Sequence, residues 1–263
     1  MHSSYFENMP KNKRLLLEIT LIGVLSALSY IGVMIHIPIP SPLGKPFIHL
    51  GNLIVILASL IFGGWIGGIS GSIGMGLYDI LAGYDIWSII RTIVLKLIMG
   101  FIVGYIYHRL IKKEKRPLVS YQIIIGIVFL VMGVIFLAIA IKYQGVWQSV
   151  ELNKQAIIYW PIYSFSILIG IALIIGGVIS KKLPYILQCS LLATSTAIVV
   201  NLLGEFIYKL LKQLIIGGTQ FYGSVVVALL SVPATLLNGV ITLVLVMLIF
   251  LPIQLAIDKS RES

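Results

Sequence analysis

Long apolar runs dominate this chain, and they leave it few folds to choose from. Only 11% of its 263 residues are charged and 59% are hydrophobic. A soluble domain carries about 25% charged residues. An uncharged apolar run of about 18 residues or more is read as a membrane-crossing helix, because lipid offers the backbone no hydrogen-bonding partner. The chain therefore reads as an all-α, polytopic integral membrane helical bundle of about eight spans. They lie at roughly 15–35, 49–63, 66–83, 87–108, 121–142, 160–180, 185–207 and 223–250. The first 14 residues are polar and the first apolar run lacks a small-residue cleavage site, so that run is expected to be a helix of the mature protein.

The net charge of +10 follows the membrane rather than nucleic acid, because basic residues gather on the cytoplasmic side of membrane proteins. With the N-terminus inside, Lys11, Lys13 and Arg14 are cytoplasmic. So are His108, Arg109, Lys112, Lys113, Lys115 and Arg116, then Lys181 and Lys182, and finally Lys259 and Arg261. Both termini are then cytoplasmic. The loop 36–48, the turn Gly83–Trp87 and the segment Lys212–Tyr222 face outside. The second span is short, so it must thin the bilayer, tilt little or pack deep against its neighbours.

The outer loop and the helix start after it read HIPIPSPLGKPFIHLGN. A rigid, Pro-rich segment followed by His49 and Asn52 at a helix mouth has the makings of a lid over a small molecule. The glycines of the third span are spaced as small-xxx-small pairs: Gly64/Gly68, Gly67/Gly71, Ser70/Gly74 and Ser72/Gly76. Such pairs let backbones approach closely in lipid. In the first span, Gly23 and Ala27, with Ser26 and Ser29, make a small face. It suits either packing within the bundle or the docking of another membrane subunit.

Polar residues inside spans are costly and mark function. Tyr78 and Asp79 lie near the outer end of the third span, and Arg91 near the outer start of the fourth. Asp79 and Arg91 either lock that hairpin as a pair or touch a ligand. Lys96 lies deeper and needs a carboxylate, a carbonyl or a bound anion. Asn201 and Glu205 lie near the outer end of the seventh span, where Glu205 is also spaced to pair with Lys209. In the last span Pro233 is expected mid-helix, freeing a carbonyl, with Asn238 following. Tyr84, Trp87 and Tyr222 suit either an interfacial belt or stacking on a flat ligand.

Enzyme signatures are missing. The four His make no HExxH or paired metal spacing, so no metal and no cofactor is expected. There is no GxSxG elbow and no GxxxxGK[ST] loop, and the single cysteine, Cys189, rules out a disulfide framework.

Three blocks carry a resemblance to a known family. They are IPIPSPLGKPFIHLGN, then LIFGGWIGGISGSIGMGLYDILAGYDIWSIIRTIVLKLIMGFIVGYI, and a C-terminal helix pair with an Asn in its last helix. Together they resemble the substrate-binding S components of energy-coupling-factor (ECF) vitamin transporters, in the riboflavin-type or hydroxymethylpyrimidine/pyridoxine-type branch. The resemblance implies a six-helix core with an outward-facing pocket. It also implies a membrane scaffold subunit and two cytoplasmic ATPases as partners, docked through Gly23 and Ala27. The solute site it implies draws on the loop ending in His49 and Asn52, the segment Trp87–Lys96, and the regions around Asn201–Glu205 and Asn238; with the polar and aromatic residues read above, the candidate site is His49, Asn52, Tyr78, Asp79, Tyr84, Trp87, Arg91, Lys96, Asn201, Glu205 and Asn238. Asn52 departs from the Asp often met after HLG.

On this reading, 1–14 is a cytoplasmic tail, 15–110 holds core helices one to four, and 111–184 is an inserted hairpin. Residues 185–255 hold core helices five and six, and 256–263 is a second tail. The hairpin places Trp147, Glu151 and Lys154 outside. The expected function is capture of a vitamin or precursor (pyridoxine, hydroxymethylpyrimidine or riboflavin-like) for ATP-driven uptake across a bacterial cell membrane. The alternatives are a non-transport assembly subunit, a membrane enzyme with an unrecognised site, or a solitary facilitator.

Overall fold

The computed structural model describes residues 10–38, 47–112, 119–142, 183–218, 221–230 and 232–262, and helical residues within 167–178. The elements are α1 (Lys11–Met34), β1 (His36–Pro38), β2 (Phe47–His49), α2 (Gly51–Phe62), α3 (Gly64–Leu81) and α4 (Ile86–Ile111). They continue with α5 (Val119–Lys142), α6 (Tyr185–Ile215), α7 (Phe221–Leu230) and α8 (Val232–Glu262). Four of these helices, α1, α4, α6 and α8, are long and apolar enough to cross a membrane. Their exposed side chains are largely apolar, Leu16, Ile19, Val24, Trp87, Val94, Leu203 and Leu248 among them. That is the surface a lipid-facing bundle requires.

α2 sits at the centre. Its 12 residues span only about 18 Å, well short of a bilayer core of about 30 Å. Of the routes open to a short apolar helix, this one packs deep. It touches α1, α3, α4 and α8, and Val55, Ile56 and Leu60 are fully buried. Met99 and Val103 of α4, Cys189 and Ala193 of α6, and Val246 and Phe250 of α8 close the core around it.

The glycines of α3 explain how this packing is reached. Gly64 and Gly68 meet the α4 backbone, where a Cβ on Gly64 would come 2.8 Å from the Gly100 carbonyl and one on Gly68 2.9 Å from that of Leu97. Gly67 and Gly71 meet Ser59 and Val55 of α2, and Gly74 meets Ser26 and Ser29 of α1. One helix thus presents a bare backbone to three neighbours. Gly63, at φ 108°, makes the tight α2–α3 turn, a conformation that glycine adopts readily.

Several expectations are corrected. The last apolar span is described as α7 up to Leu230 and as α8 from Val232, which holds Pro233 in its first turn as described. The proline inside that helix is Pro252. α6 continues to Ile215, so Lys212 is helical and not part of a loop. The loop after α1 forms two short antiparallel strands, with His36 opposite His49. Short strands in a Pro-rich loop carry too little alternation to be read from sequence.

α5 packs against α6, where Phe129, Leu202 and Leu236 form a separate small cluster with Leu173 beside it. Gly126 and Gly170 let α5 and the 167–178 segment approach closely. Trp147, Glu151 and Lys154 lie outside the described residues.

Substituting Gly100 by Leu is expected to lower stability by about 1–3 kcal/mol or more, because α3 backbone stands where the side chain must go. Gly23→Ala, which meets no atom within 4 Å, is expected to leave stability unchanged. Thermal unfolding of both variants in detergent checks the contrast.

Candidate functional site

The strands are pinned to the bundle at their base. The Leu50 amide donates to the Gly32 carbonyl of α1 at 2.8 Å, and the His49 amide donates to Asn238 Oδ1 of α8 at 3.3 Å. The Gly51 amide donates to His49 Nδ1 at 3.1 Å, which places the ring proton of a neutral His49 on Nε2. Beneath the strands lies a ring cluster. Phe47 packs on His36 at 4.7 Å and on His49 at 5.5 Å, and Tyr78 stands edge-on to Phe47 at 6.3 Å and to Tyr30 at 6.0 Å. Burial of the His49 imidazole, with the charges of Lys96 and His36 nearby, lowers its pKa to about 3.

A polar ladder runs down the α4–α6 seam from this end of the bundle. At the rim, Asp85 caps α4 by accepting from the Ser88 amide at 3.2 Å and its hydroxyl at 2.6 Å. Lys212 of α6 meets Asp85 at 2.7 Å, and Ser88 and Tyr208 share a hydrogen bond at 3.0 Å. Burial alone would raise the Asp85 pKa, but the hydrogen bonds from Lys212 and Ser88 hold it at about 2. One turn further in, Arg91 donates to Glu205 at 3.0 Å and lies over the Tyr208 ring. Its second nitrogen donates to Thr92 Oγ1 at 3.1 Å, and Thr92 donates to Asp79 at 2.5 Å. At the floor, about 15 Å along α4 from Ile86, Lys96 Nζ donates to Asn201 Oδ1 at 2.9 Å. Lys96 is 5% exposed and Asn201 6%.

The structure thus gathers Asp79, Arg91, Lys96, Asn201 and Glu205 along one seam, and His49, Tyr78 and Asn238 at its mouth. Asn52, on the first turn of α2, is 5% exposed, and its Oδ1 has no hydrogen-bond partner among the described residues. Trp87 and Tyr84 do not join them; both are exposed beside the α3–α4 turn. The Tyr222 side chain lies outside the described residues. Two pairings differ from expectation. Asp79 reaches Arg91 through Thr92, not directly, and Glu205 takes Arg91 as its partner, not Lys209. An α4–α6 contact links residues over a hundred positions apart, whereas helical spacing alone points to Lys209. Thr92, Ser88 and Tyr208 were missed. Hydroxyls cost little in a span and carry no charge, so they gave no signal.

The small face of α1 divides in two. Ser26 and Ser29 are buried against α3, whereas Gly23 and Ala27 are exposed. They line an apolar groove of about 450 Å³ between α1 and α3, with Ile22, Tyr30 and Gly74.

Residues 15–183, more than half of the chain, match the model of the family described as ECF-type riboflavin transporter, S component. The match runs through the 111–184 region and ends before α6. A protein of Pyrococcus woesei described as an uncharacterized protein in a gap 3′ region is 34% identical over 73 residues, 28% of this chain. Those residues are 47% of that protein, so the chain spans about half the length of the curated relative it matches. No solved structure matches the chain. With that match over more than half of its length, the chain belongs to the ECF-type riboflavin transporter S-component family.

Proposed function

We propose that this chain captures a vitamin or vitamin precursor from outside the cell and hands it to an ATP-driven importer. Membership of the family makes it a vitamin-type substrate-binding transporter subunit of the cell membrane. The observation that carries the finer reading is the buried seam Asp79–Thr92–Arg91–Glu205 with Lys96–Asn201 below it. Charged groups this deep in a bundle are costly unless they serve a pathway or a ligand. With the N-terminus inside, the seam opens outward beneath β1 and β2. Asn238 and Gly32 hold the base of those strands, and the rings of Phe47, Tyr78 and His49 offer flat surfaces beside it. A small, flat, polar heterocycle suits such a site.

The core we assign to solute capture is α1–α4 with α6 and α8, and the 111–184 hairpin is an addition on the α6 side. Docking of a membrane scaffold subunit, itself joined to two cytoplasmic ATPases, is assigned to the α1–α3 groove at Gly23 and Ala27. A shallow apolar groove floored by small residues admits a partner helix at close range. The hairpin packs on α6, away from that groove.

Mass spectrometry of small molecules released from the detergent-purified protein, grown in rich medium, is expected to find a near-stoichiometric vitamin or precursor. A blank, repeated after incubation with a vitamin panel, would count against capture. Gly23→Leu with Ala27→Leu is expected to abolish co-purification with the scaffold and ATPases while leaving thermal stability unchanged; undiminished association would refute the docking assignment.

Because the pKa of His49 in the fold, about 3, lies below its ordinary 6.5, the neutral ring contributes stability that is fully present above pH 6.5. That contribution is lost as pH falls toward 3. The stability margin of the protein over a His49→Gln variant should therefore shrink between pH 6.5 and 4, as thermal unfolding at stepped pH will measure.

A further inference from the structure

The exposed face of α4 carries a pattern that the polar seam does not use. Tyr105 follows Trp87 by 18 residues, about five helical turns, so both stand on one face roughly 27 Å apart. Ile90, Val94 and Ile98 are exposed between them. The charged residues of that stretch, Arg91 and Lys96, turn to Glu205 and Asn201 of α6 instead. An apolar stripe bounded by Trp and Tyr at this spacing matches a bilayer core of about 30 Å with its aromatic rings at headgroup level.

The Tyr105 end of the stripe is built up further. Trp65, exposed at the start of α3, stands edge-on to Phe101 at 4.3 Å, and Phe101 lies one turn before Tyr105. Arg109 lies one turn beyond Tyr105, stacked over its ring at 5.4 Å and donating to its hydroxyl. Trp65, Phe101, Tyr105 and Arg109 thus form a ladder that leads from the apolar stripe to the surface. Among the described residues the Arg109 guanidinium meets no carboxylate, whereas Arg14 is met by Glu18 and Lys212 by Asp85. Its remaining N–H donors stand at the depth of lipid phosphates. Lys112, three residues on, adds a second positive charge at the same end of the helix.

We propose that this ladder is a binding site for one anionic phospholipid. The Arg109 guanidinium takes the phosphate with its fork of donors, and the rings of Trp65, Phe101 and Tyr105 line the first stretch of an acyl chain. A zwitterionic lipid brings its own ammonium toward Arg109 and Lys112, and an anionic headgroup does not, so the site prefers the anionic lipid. The inference stands apart from solute capture, because no residue of the polar seam takes part.

Fluorescence quenching of the full chain in nanodiscs tests this. A variant keeping Trp65 alone (Trp87→Phe, Trp147→Phe and Trp160→Phe) is placed in mixed phosphatidylglycerol and phosphatidylcholine, with one lipid at a time brominated on its upper acyl chain. Brominated phosphatidylglycerol is expected to quench Trp65 about 2- to 5-fold more than brominated phosphatidylcholine at equal content. Arg109→Gln should erase that difference yet leave quenching by phosphatidylcholine, because lipid still covers the face. Quenching by neither lipid would mean a face hidden from the bilayer. Equal quenching, or a preference that survives Arg109→Gln, would mean no headgroup site; each of these results overturns the proposal. Native mass spectrometry of the chain with all its tryptophans, mixed with both lipids at equal concentration, gives a second reading. One retained phosphatidylglycerol is expected, lost in Arg109→Gln at unchanged thermal stability, and equal retention of the two lipids would again overturn the assignment.

Discussion

Everything in this bundle depends on how closely α3 lets its neighbours approach. Without side chains at Gly64, Gly68, Gly67, Gly71 and Gly74, it meets the backbones of α4 and α1 and the buried side chains of α2. In lipid the hydrophobic effect gives helices no reason to associate, so contact at this range, through dispersion and short polar contacts, has to hold them together. Ser72 adds to it by donating to the Ile93 carbonyl of α4 at 2.8 Å. The same approach sets Asp79 of α3 beside Thr92 of α4. The site is a product of the packing.

The seam then solves an electrostatic problem. Isolated charges at this depth would be very costly, and each carboxylate here is met by a donor: Asp85 by Lys212, Glu205 by Arg91, Asp79 by Thr92. Thr92 uses one hydroxyl in both directions, accepting from Arg91 and donating to Asp79. Buried networks of this kind are rigid when their members are satisfied.

The two ends of the cover are held differently. The β2 end is tied to α1 through Gly32 and to α8 through Asn238, whereas His36, Ile37 and Pro38 of β1 are exposed. The pinned end fixes His49 against α8, and burial keeps its ring unprotonated at ordinary pH. The groove at Gly23 and Ala27 lies between α1 and α3, while α5 packs on α6, so the polar seam, the apolar groove and α5 involve different helix pairs.

Membrane insertion, the helical class and the close packing of α3 were legible from sequence, because apolar length and small-residue spacing are local properties. That Asp79, Arg91, Lys96, Asn201 and Glu205 would leave lipid was legible too, since a polar residue in an apolar span stands out on its own. Which of them pair was not legible. Arg91 is 114 residues from Glu205, and no local pattern records the distance across a seam. Spacing along one helix favoured Lys209 for Glu205, and matched depth favoured Arg91 for Asp79; tertiary contact between α4 and α6 overrode the first and put Thr92 into the second. The pairing of β1 with β2 and the exposure of Trp87 were likewise decided by packing. The sequence determined which residues had to leave lipid; the tertiary structure decided which partners they met there, because a charge buried in a bundle is stabilised by whatever group the helix packing sets within hydrogen-bond reach.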